Sequence, residues 1–559
     1  MDLGLVDHPM KKIIIGLVIA AILILAGVVL FKRSGGESQA AALAPEDTVL
    51  FVNIPNIPRT GFRWIGTALA QIAAEPEMQA FLELPLKKLK ESPSVGENSG
   101  VLVGLKPGNI FLAATLPDGQ RAQGLLGFQF WGNRKDYDKA IVQLRKQLPE
   151  PDQQPTSETH NGLEILATRH GDLTLYSAAA GRWGFLSTSL EQIKTALDRA
   201  TGNAPLTSLK TNPRFTKVVA QLPVEPELFF YFEPEKAVDS LLAAGESLGL
   251  NQVPSQFEEL KSAEAVGGIL KIDGRLLRDA IFVLRSSKPE SLPKLAHPAM
   301  ELTTTETTVF FDFVFNFAAI PSLVEGLADA YPRVAAIAAP LAEAAAQIYG
   351  PECALIANWP DNSMTPTPLV AVTVKDEARS SDFLAQTIGN LPGAIRQDLK
   401  GNTVYSFPTG YTSLSVAQSN GFLLFGMNPE ALLQAGDLKT SGSTLRDAAD
   451  FKDAVPAFQT ANEAFGYIDT PTVFTRVYNS FVPVIRFGAA MMPDLKNRID
   501  VSKLPKAETI AKHLPPIVLS QKRTTEGTLM ESSGPVSLTQ FLLLSTAGAM
   551  AANQSLLGN

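Results

Sequence analysis

Hydrophobic residues form one long unbroken run near the start of this chain and many short alternating stretches after it. The long run covers residues 13–31 and contains no charged side chain. As a helix, these 19 residues are long enough to cross the roughly 30 Å hydrocarbon core of a bilayer. We therefore predict a membrane-spanning helix over residues 13–31.

The charges beside this run do not decide its orientation, because Lys11 and Lys12 precede it and Lys32 and Arg33 follow it. Only twelve residues precede the run while more than five hundred follow, which is typical of a signal anchor with an internal N-terminus and an exported body. A cleaved signal peptide is the alternative, with a normal apolar region of ~7–15 residues. Because Lys32 and Arg33 come before the weak cleavage-like sequence at residues 42–44, we expect the anchor to be retained.

The short stretches that follow occur twice in the same order. EDTVLFV around Thr48 is nearly repeated by ETTVFFD around Thr308, at an offset of 260 (308 − 48). At the later landmark of Tyr231 and Tyr467 the offset has fallen to 236 (467 − 231). An offset that only shrinks is expected of a repeat that lost loop residues, whereas chance matches would vary in both directions. We predict two related modules.

Corresponding elements are predicted in both copies from alternating and helical patterns. The helix after Ser189 begins with a capping-box pattern completed by Gln192, and its counterpart begins at Asn428. Each of four predicted strands in the first copy has a counterpart in the second: 125–130 corresponds to 369–374, 227–232 to 463–468, 265–272 to 517–522, and 276–284 to 527–531.

Hairpins and locally paired strands outnumber strict strand–helix alternation, which favours an α+β fold. We predict an N-terminal transmembrane helix followed by two tandem related modules, each a mostly antiparallel sheet with helices on one face. The pattern divides the chain into a cytoplasmic tail (1–12), the signal anchor (13–31), a linker (32–44), the first module (45–285), a Pro-rich linker (286–300), the second module (301–535) and an apolar C-terminal tail (536–559).

Composition and charge narrow the possible partners. The chain is 45% hydrophobic and 19% charged, which is ordinary for globular proteins. Its net charge of −8 provides no basic field, so nucleic acid is not a predicted partner. The single cysteine, Cys353, excludes an intramolecular disulfide and lies in an apolar stretch typical of a buried thiol.

Sequence signals for catalysis or cofactor binding are weak. The chain contains neither the G-x-x-x-x-G-K-[ST] phosphate loop nor the G-x-G-x-x-G fingerprint. No two of the five histidines have metal-ligand spacing, so we assign them to turns and the surface; they are His8, His160, His170, His297 and His513. We predict no catalytic residue, no cofactor and no metal, and keep a hydrolase with an unrecognised site as a distant alternative.

The most suggestive feature is a row of alternating aromatic residues in the second copy. Its members are Phe311, Phe313, Phe315 and Phe317. Strand geometry would place all four on one face. They either fill an ordinary core beside helices rich in small residues, or line an apolar groove for a lipid or other greasy ligand.

Several stretches resemble one bacterial protein family. They are LAPEDT at 43–48, IPRT at 57–60, Arg63 with Trp64, EMQAF at 77–81, HLPPIVLSQ at 513–521 and ESSGP at 531–535. The chain resembles an uncharacterised family of membrane-anchored exported bacterial proteins, known only as a domain of unknown function. The resemblance implies location and architecture but no catalytic residues.

These observations predict a non-catalytic interaction or scaffold protein of the bacterial cell envelope. It would cross the inner membrane once, with the N-terminus inside and the bulk of the chain in the periplasm. The predicted partners are the membrane, through that one helix, and an envelope protein. The alternative is a carrier or sensor that binds a lipid or other apolar ligand in a sheet groove.

Overall fold

Twenty strands of the computed structural model form one antiparallel sheet. The structure describes residues 39–91, 104–117, 122–146, 154–170, 173–203, 207–237, 262–285, 293–326, 331–360, 363, 365–399, 401–409, 413–430, 432, 442–491 and 500–537. The strands before the Pro-rich linker are β1 (Thr48–Ile54), β2 (Pro107–Thr115), β3 (Gln123–Phe130), β4 (Thr156–His160), β5 (Leu163–His170), β6 (Leu173–Ala180), β7 (Trp183–Ser187), β8 (Leu228–Phe232), β9 (Ala263–Asp273) and β10 (Leu276–Arg285).

Ten more of the described strands follow the linker. They are β11 (Thr307–Val314), β12 (Tyr349–Asn358), β13 (Thr367–Val374), β14 (Ile395–Leu399), β15 (Asn402–Pro408), β16 (Ser413–Ser419), β17 (Phe422–Gly426), β18 (Ala464–Ile468), β19 (Ile517–Arg523) and β20 (Gly527–Gly534). The strands predicted at 125–130, 265–272 and 517–522 lie within β3, β9 and β19. The strand predicted at 227–232 corresponds to β8, which begins one residue later.

The described helices lie before β1 and between the later strands. In the first half they are α1 (Ala40–Leu43), α2 (Ile57–Trp64), α3 (Ala68–Ala74), α4 (Pro76–Glu91), α5 (Arg134–Lys146), α6 (Leu190–Thr201) and α7 (Pro213–Ala220). In the second half they are α8 (Ile320–Gly326), α9 (Pro332–Ile348), α10 (Glu377–Thr387), α11 (Val455–Thr460), α12 (Thr470–Met491) and α13 (Ala507–Ala511).

The prediction of two separate sheets is wrong, because β10 and β20 pair with each other and join the halves. From edge to edge the order is β4-β5-β6-β7-β3-β2-β1-β8-β9-β10-β20-β19-β18-β11-β12-β13-β17-β16-β15-β14. The order on one side of the β10–β20 seam mirrors the order on the other. Each half would otherwise expose the backbone groups of its last strand, and pairing the two edges satisfies both.

Side chains reinforce this seam. Ile281 lies opposite Met530 and Phe282 opposite Leu529 in the antiparallel register. The buried carboxylate of Asp279 also accepts hydrogen bonds from the hydroxyls of Ser532 and Ser537, at 2.9 and 2.6 Å. The seam is therefore continuous in both its backbone ladder and its side-chain packing.

Helices pack on both faces of the sheet, so the prediction of helices on one face is wrong. We call the face that bears Phe51 and Phe310 the first face and its opposite the second face. On the first face, α6 and α7 pack in the cluster that contains Phe51 in one half. In the other half, Phe458 of α11 and Phe451 of the preceding 3₁₀ helix pack in the cluster that contains Phe310. On the second face, α5 packs on β3 in the first half and α10 packs near β13 in the second. Both faces of these strands are apolar, and each therefore needs a cover.

The register corrects the predicted alignment of the two halves by one residue. Phe51 pairs with Tyr231 of β8, and the residue that pairs with Tyr467 of β18 is Phe310. The offset between equivalent residues of β1 and β11 is therefore 259 (310 − 51), whereas the sequence alignment made Phe311 the equivalent of Phe51. A slip of one residue moves a strand's side chains to the other face.

Polar contacts at the junction of α3 and α4 connect the first half to the 500–513 region of the second. Glu77 accepts a hydrogen bond from the backbone N–H of Lys506 at 2.9 Å, and Glu75 lies 2.6 Å from the His513 ring. Hydrogen bonds from Lys512 and His513 hold the pKa of Glu75 below its usual value of 4.5. These contacts therefore weaken as the pH falls through the lowered pKa of Glu75.

The predicted membrane-spanning helix at residues 13–31 lies outside the described residues. Among the helices that the structure describes, none has the length and apolar composition needed to cross a bilayer.

Candidate functional site

The four phenylalanines singled out from the sequence do not share one strand. Phe311 and Phe313 lie on β11, which ends at Val314. Phe315 follows the strand and is exposed, while Phe317 begins a short 3₁₀ helix. The chain turns here, because the N–H of Phe315 donates to the carbonyl of Pro351 at 2.6 Å and the 3₁₀ turn starts two residues later. The prediction of a four-residue row on one face is therefore wrong for Phe315 and Phe317.

The two phenylalanines that remain on the strand lie on the second face, away from the main core. Phe310 is fully buried on the first face, whereas Phe311 and Phe313 are half-buried, with their ring centroids 5.7 Å apart. Phe311 lies beside Gly466 of β18, where an added Cβ would come within 2.8 Å of the Phe311 ring. The absence of a side chain at Gly466 thus leaves room for the Phe311 ring beside β18.

Neighbouring strands extend this apolar surface. Leu355 of β12 lies opposite Phe311, and Val370 of β13 lies opposite Leu355. Both aliphatic side chains are 39% exposed, although they lie on interior strands of the sheet. We call the surface formed by Phe311, Phe313, Leu355 and Val370 the apolar shelf. Interior strands normally bury such side chains, so the exposed shelf is the leading candidate for a binding surface.

Helices border the shelf on two sides. Towards Phe313 it meets a buried cluster that includes Tyr349, Val372 and Leu384 of α10. Towards the end of β12, Arg476 of α12 donates to the carbonyl of Pro360 at 2.9 Å. The shelf is therefore an open strip of sheet with helical structure at either end.

Cys353 lies at the edge of the shelf, opposite Phe313 in the strand register. Burial raises the pKa of its thiol to about 11. At about pH 8 only about one thiol in a thousand would be ionised, so we expect Cys353 to react slowly with a thiol reagent. The measurement is the labelling rate of the native chain against the same chain in denaturant.

Replacing Phe313 with Ala should accelerate the labelling of Cys353, because the ring lies opposite the half-buried thiol in the strand register and its removal should expose the thiol. Leu414→Ala, at an exposed position on β16, is the control and should leave the rate unchanged. Equal labelling rates in native and denatured wild-type protein would contradict the predicted shielding.

A buried polar cluster lies on the first face of the same strand. Nδ1 of His297 lies 2.8 Å from Oδ2 of Asp312, and the His297 ring stacks on Phe458 at 4.0 Å. Glu352 accepts hydrogen bonds from the backbone N–H groups of Ala296 and His297 at 2.9 and 3.1 Å. Burial raises the pKa values of both carboxyls, and the bond to His297 opposes the rise at Asp312.

This cluster corrects the surface role that the sequence suggested for His297. Because His297, Asp312 and Glu352 are all buried, their bonds hold residues 295–300 against the second half. The sequence gives little indication of this polar cluster, since its three residues are separated by 15 and 40 positions (312 − 297 and 352 − 312). In the described parts of the chain, no group of three His, Cys, Asp or Glu side chains could hold a metal ion.

One cleft and one sequence motif are further candidate sites. A cleft of about 370 Å³ lies in the first half, lined by residues of β4, β5 and β6 that include Glu158, Arg169 and Tyr176. The sequence also contains one G-x-S-x-G pentapeptide, at residues 245–249. Such a motif acts as a nucleophile elbow only between a strand and a helix, and these five residues lie outside the described part of the chain.

Comparisons with known proteins add little to this geometry. No family model and no curated protein matches the chain. Three solved structures match, crystal forms III, I and IV of TP0453, with sequence identities of 10%, 9% and 10% and TM-scores of 0.24, 0.23 and 0.24. The matches cover 46%, 46% and 44% of this chain and 84%, 82% and 81% of those chains. Likeness at this level carries no argument about fold or function.

Proposed function

We propose that this chain is a non-catalytic interaction protein of the bacterial cell envelope. Residues 13–31 anchor it in the inner membrane, with residues 1–12 inside and the rest of the chain in the periplasm. The body built on the 20-strand sheet presents a surface to another envelope protein.

The observation that carries this proposal is the apolar shelf. Contiguous apolar surface on a folded protein marks interaction sites, because exposing it to water is unfavourable. Leu355 and Val370 provide that surface on interior strands, and the half-buried rings of Phe311 and Phe313 continue it. An open strip of sheet fits a protein surface better than a small ligand, since small-ligand sites are concave and enclose most of the ligand.

Protease protection tests the location of the body. The full chain is produced in bacteria with a tag at its C-terminus, and intact cells are compared with spheroplasts whose outer layers have been opened. We expect added protease to remove the tagged body only in spheroplasts, while a short N-terminal fragment stays in the membrane. Protection of the body in spheroplasts would contradict an exported location.

Site-specific photo-crosslinking tests the shelf in the same cells. A photoreactive amino acid replaces Leu355 in one variant and exposed Glu377 of α10 in the control. We expect a discrete protein adduct from position 355 and none from position 377. The same adducts from both positions, or none from either, would contradict a specific protein partner at the shelf.

Lipid adducts from position 355 would favour the second candidate function, a carrier or sensor for an apolar ligand. The observation behind this candidate is that Phe311 and Phe313 add two aromatic rings to the aliphatic shelf. In that case native mass spectrometry of the full chain should show a lipid-like mass that disappears on denaturation. Phe313→Ser combined with Leu355→Ser should lose that mass while retaining the fold.

A further inference from the structure

The last residue that the structure describes is fixed to the sheet at the seam. Strand β20 ends at Gly534. Three residues later, the completely buried Ser537 donates a hydrogen bond from its hydroxyl to Oδ1 of Asp279 at 2.6 Å. Because Asp279 lies opposite Ser532, two residues before the end of β20, the chain turns back over the sheet after the strand.

A single cross-strand row connects Asp279 with the apolar shelf. Side chains directly opposite each other in paired strands lie on the same face of a sheet. Three of the four shelf residues belong to the same row as Asp279, and so lie on the face over which Ser537 is fixed. From β10 to β13 the row is Asp279, Ser532, Leu519, Gly466, Phe311, Leu355 and Val370.

The row is apolar from the seam to the shelf. Leu519 is half-buried and Gly466 has no side chain, so the surface between Ser532 and Phe311 carries no charge and only one large side chain. A segment that leaves Ser537 along this row would meet apolar groups as far as Val370. The row is therefore an apolar path from the end of the described chain to the shelf.

The sequence that follows Ser537 has the composition to use this path. Residues 538–559 contain no charged side chain, and residues 541–552 form an apolar run that begins with FLLL. Exposing such a run to water is unfavourable. As a helix, its 12 residues would span about 18 Å, too short for the roughly 30 Å core of a bilayer. An apolar surface on the protein itself is the cover that this length and composition fit.

The length of this segment also matches the distance to be covered. Neighbouring strands lie about 4.8 Å apart, so the five steps from β20 to β13 amount to about 24 Å. Residues 538–552 number 15 (552 − 538 + 1). They would span about 22 Å as a helix and about 50 Å when fully extended. The segment therefore reaches the far side of the shelf in either conformation.

We infer that residues 538–552 lie along this row and cover the apolar shelf, so that an envelope partner must displace them to bind. This inference rests on the proposed role of the shelf as a binding surface and adds a means of regulating it. A tethered segment has an effective concentration on the order of millimolar. A partner therefore binds more weakly by the fraction of chains in which the shelf is free.

Photo-crosslinking of the purified full-length chain tests the contact. A photoreactive amino acid replaces Leu355 on the shelf or, as the control, Val224, which is 76% exposed in the first half. Trypsin leaves everything after Arg523 on one peptide, because no Lys or Arg follows it. Fragmentation of that peptide separates residues 538–552 from β20, which lies four strand spacings from β12.

We expect position 355 to cross-link to residues 538–552 of the same chain at a yield that does not depend on protein concentration. Position 224 should give no such product. The absence of this product from position 355, or the same product from both positions, would overturn the inference. So would a product that links two chains and increases with concentration, since a second copy would then occupy the shelf.

Two charged variants of the full chain test whether the apolar run makes the contact. Phe541→Asp with Leu544→Asp adds two negative charges inside the run, and Asn553→Asp with Ser555→Asp adds two beyond it. All four positions lie outside the described residues, so no described contact is altered. We expect the first pair to lower the cross-linking yield from position 355 several-fold and the second pair to leave it unchanged. Equal yields from both pairs would contradict docking through the run.

The same variants in cells separate this inference from the proposed function. If residues 538–552 cover the shelf, Phe541→Asp with Leu544→Asp should raise the yield of the partner adduct from position 355 several-fold. A partner adduct of unchanged yield, together with no cross-link within the chain, would overturn the inference and leave the proposed function standing. A cross-link within the chain, with no partner adduct from either variant, would support the covering and contradict the proposed function.

Discussion

Phe310→Ala should destabilise the second half by about 3–5 kcal/mol, as removal of a fully buried aromatic ring does. Phe310 is completely buried and packs with Phe465, 6.2 Å between ring centroids, in a cluster that includes Tyr467 and Phe451. Removing the ring leaves a cavity among large, mutually packed side chains that cannot easily close. Hydrogen exchange of the full chain, followed by mass spectrometry, would measure the loss of protection in β11, β12 and β18.

Phe311→Ala is the matched control, because it removes the same side chain from the next position of the same strand. Phe311 is half-buried on the second face, so its removal should cost only about 1 kcal/mol. A cost for Phe311→Ala as large as that for Phe310→Ala would mean that the register of β11 is wrong. The pair of variants therefore measures which face of the strand is the core.

Gly527→Ala should open one end of the seam between the two halves. A Cβ at Gly527 would lie 2.0 Å from the carbonyl oxygen of Val283, and this contact is with backbone, which has little freedom to move away. The strain would fall beside the hydrogen bond from the N–H of Arg285 to the carbonyl of Glu526, 3.0 Å long. We expect a loss of about 1–3 kcal/mol, with faster hydrogen exchange in both β10 and β20.

Gly124→Ala is the control for this variant. Gly124 also lies in a strand, β3, but a Cβ there meets nothing within 4 Å. Its replacement should leave exchange in β10 and β20 unchanged. If Gly527→Ala also leaves hydrogen exchange in β10 and β20 unchanged, the two halves do not depend on this end of the seam for their stability.

Local structure was largely predictable because it depends on near neighbours. The dipeptide Asn161-Gly162 forms the turn between β4 and β5, with both residues at positive φ, as this residue pair favours. Ser189 caps α6 by accepting a hydrogen bond from the N–H of Gln192. The second half of the predicted capping box is absent, because the Gln192 side chain turns inward and bonds to Ser187 and Thr115 instead. A partner 77 positions away is invisible to a local pattern.

The candidate site was only half predictable for the same reason. The alternating pattern drew attention to Phe311 and Phe313, which do lie on one face of β11. It could not show that the strand ends at Val314, so Phe315 and Phe317 do not share the strand as predicted. Leu355 and Val370 became part of the shelf only through strand pairing, since nothing in their own stretches separates them from core residues.

Local sequence patterns specify which segments become strands and helices, since alternation, caps and turn residues act over a few positions. The tertiary structure selects which side of each strand is buried, because adjacent Phe310 and Phe311 are equally apolar and a shift of one residue exchanges them. It also decided that the halves share one sheet. The pairing of β10 with β20 joins residues about 250 positions apart (527 − 284 = 243), and such long-range pairing depends on edges that exist only after each half has folded.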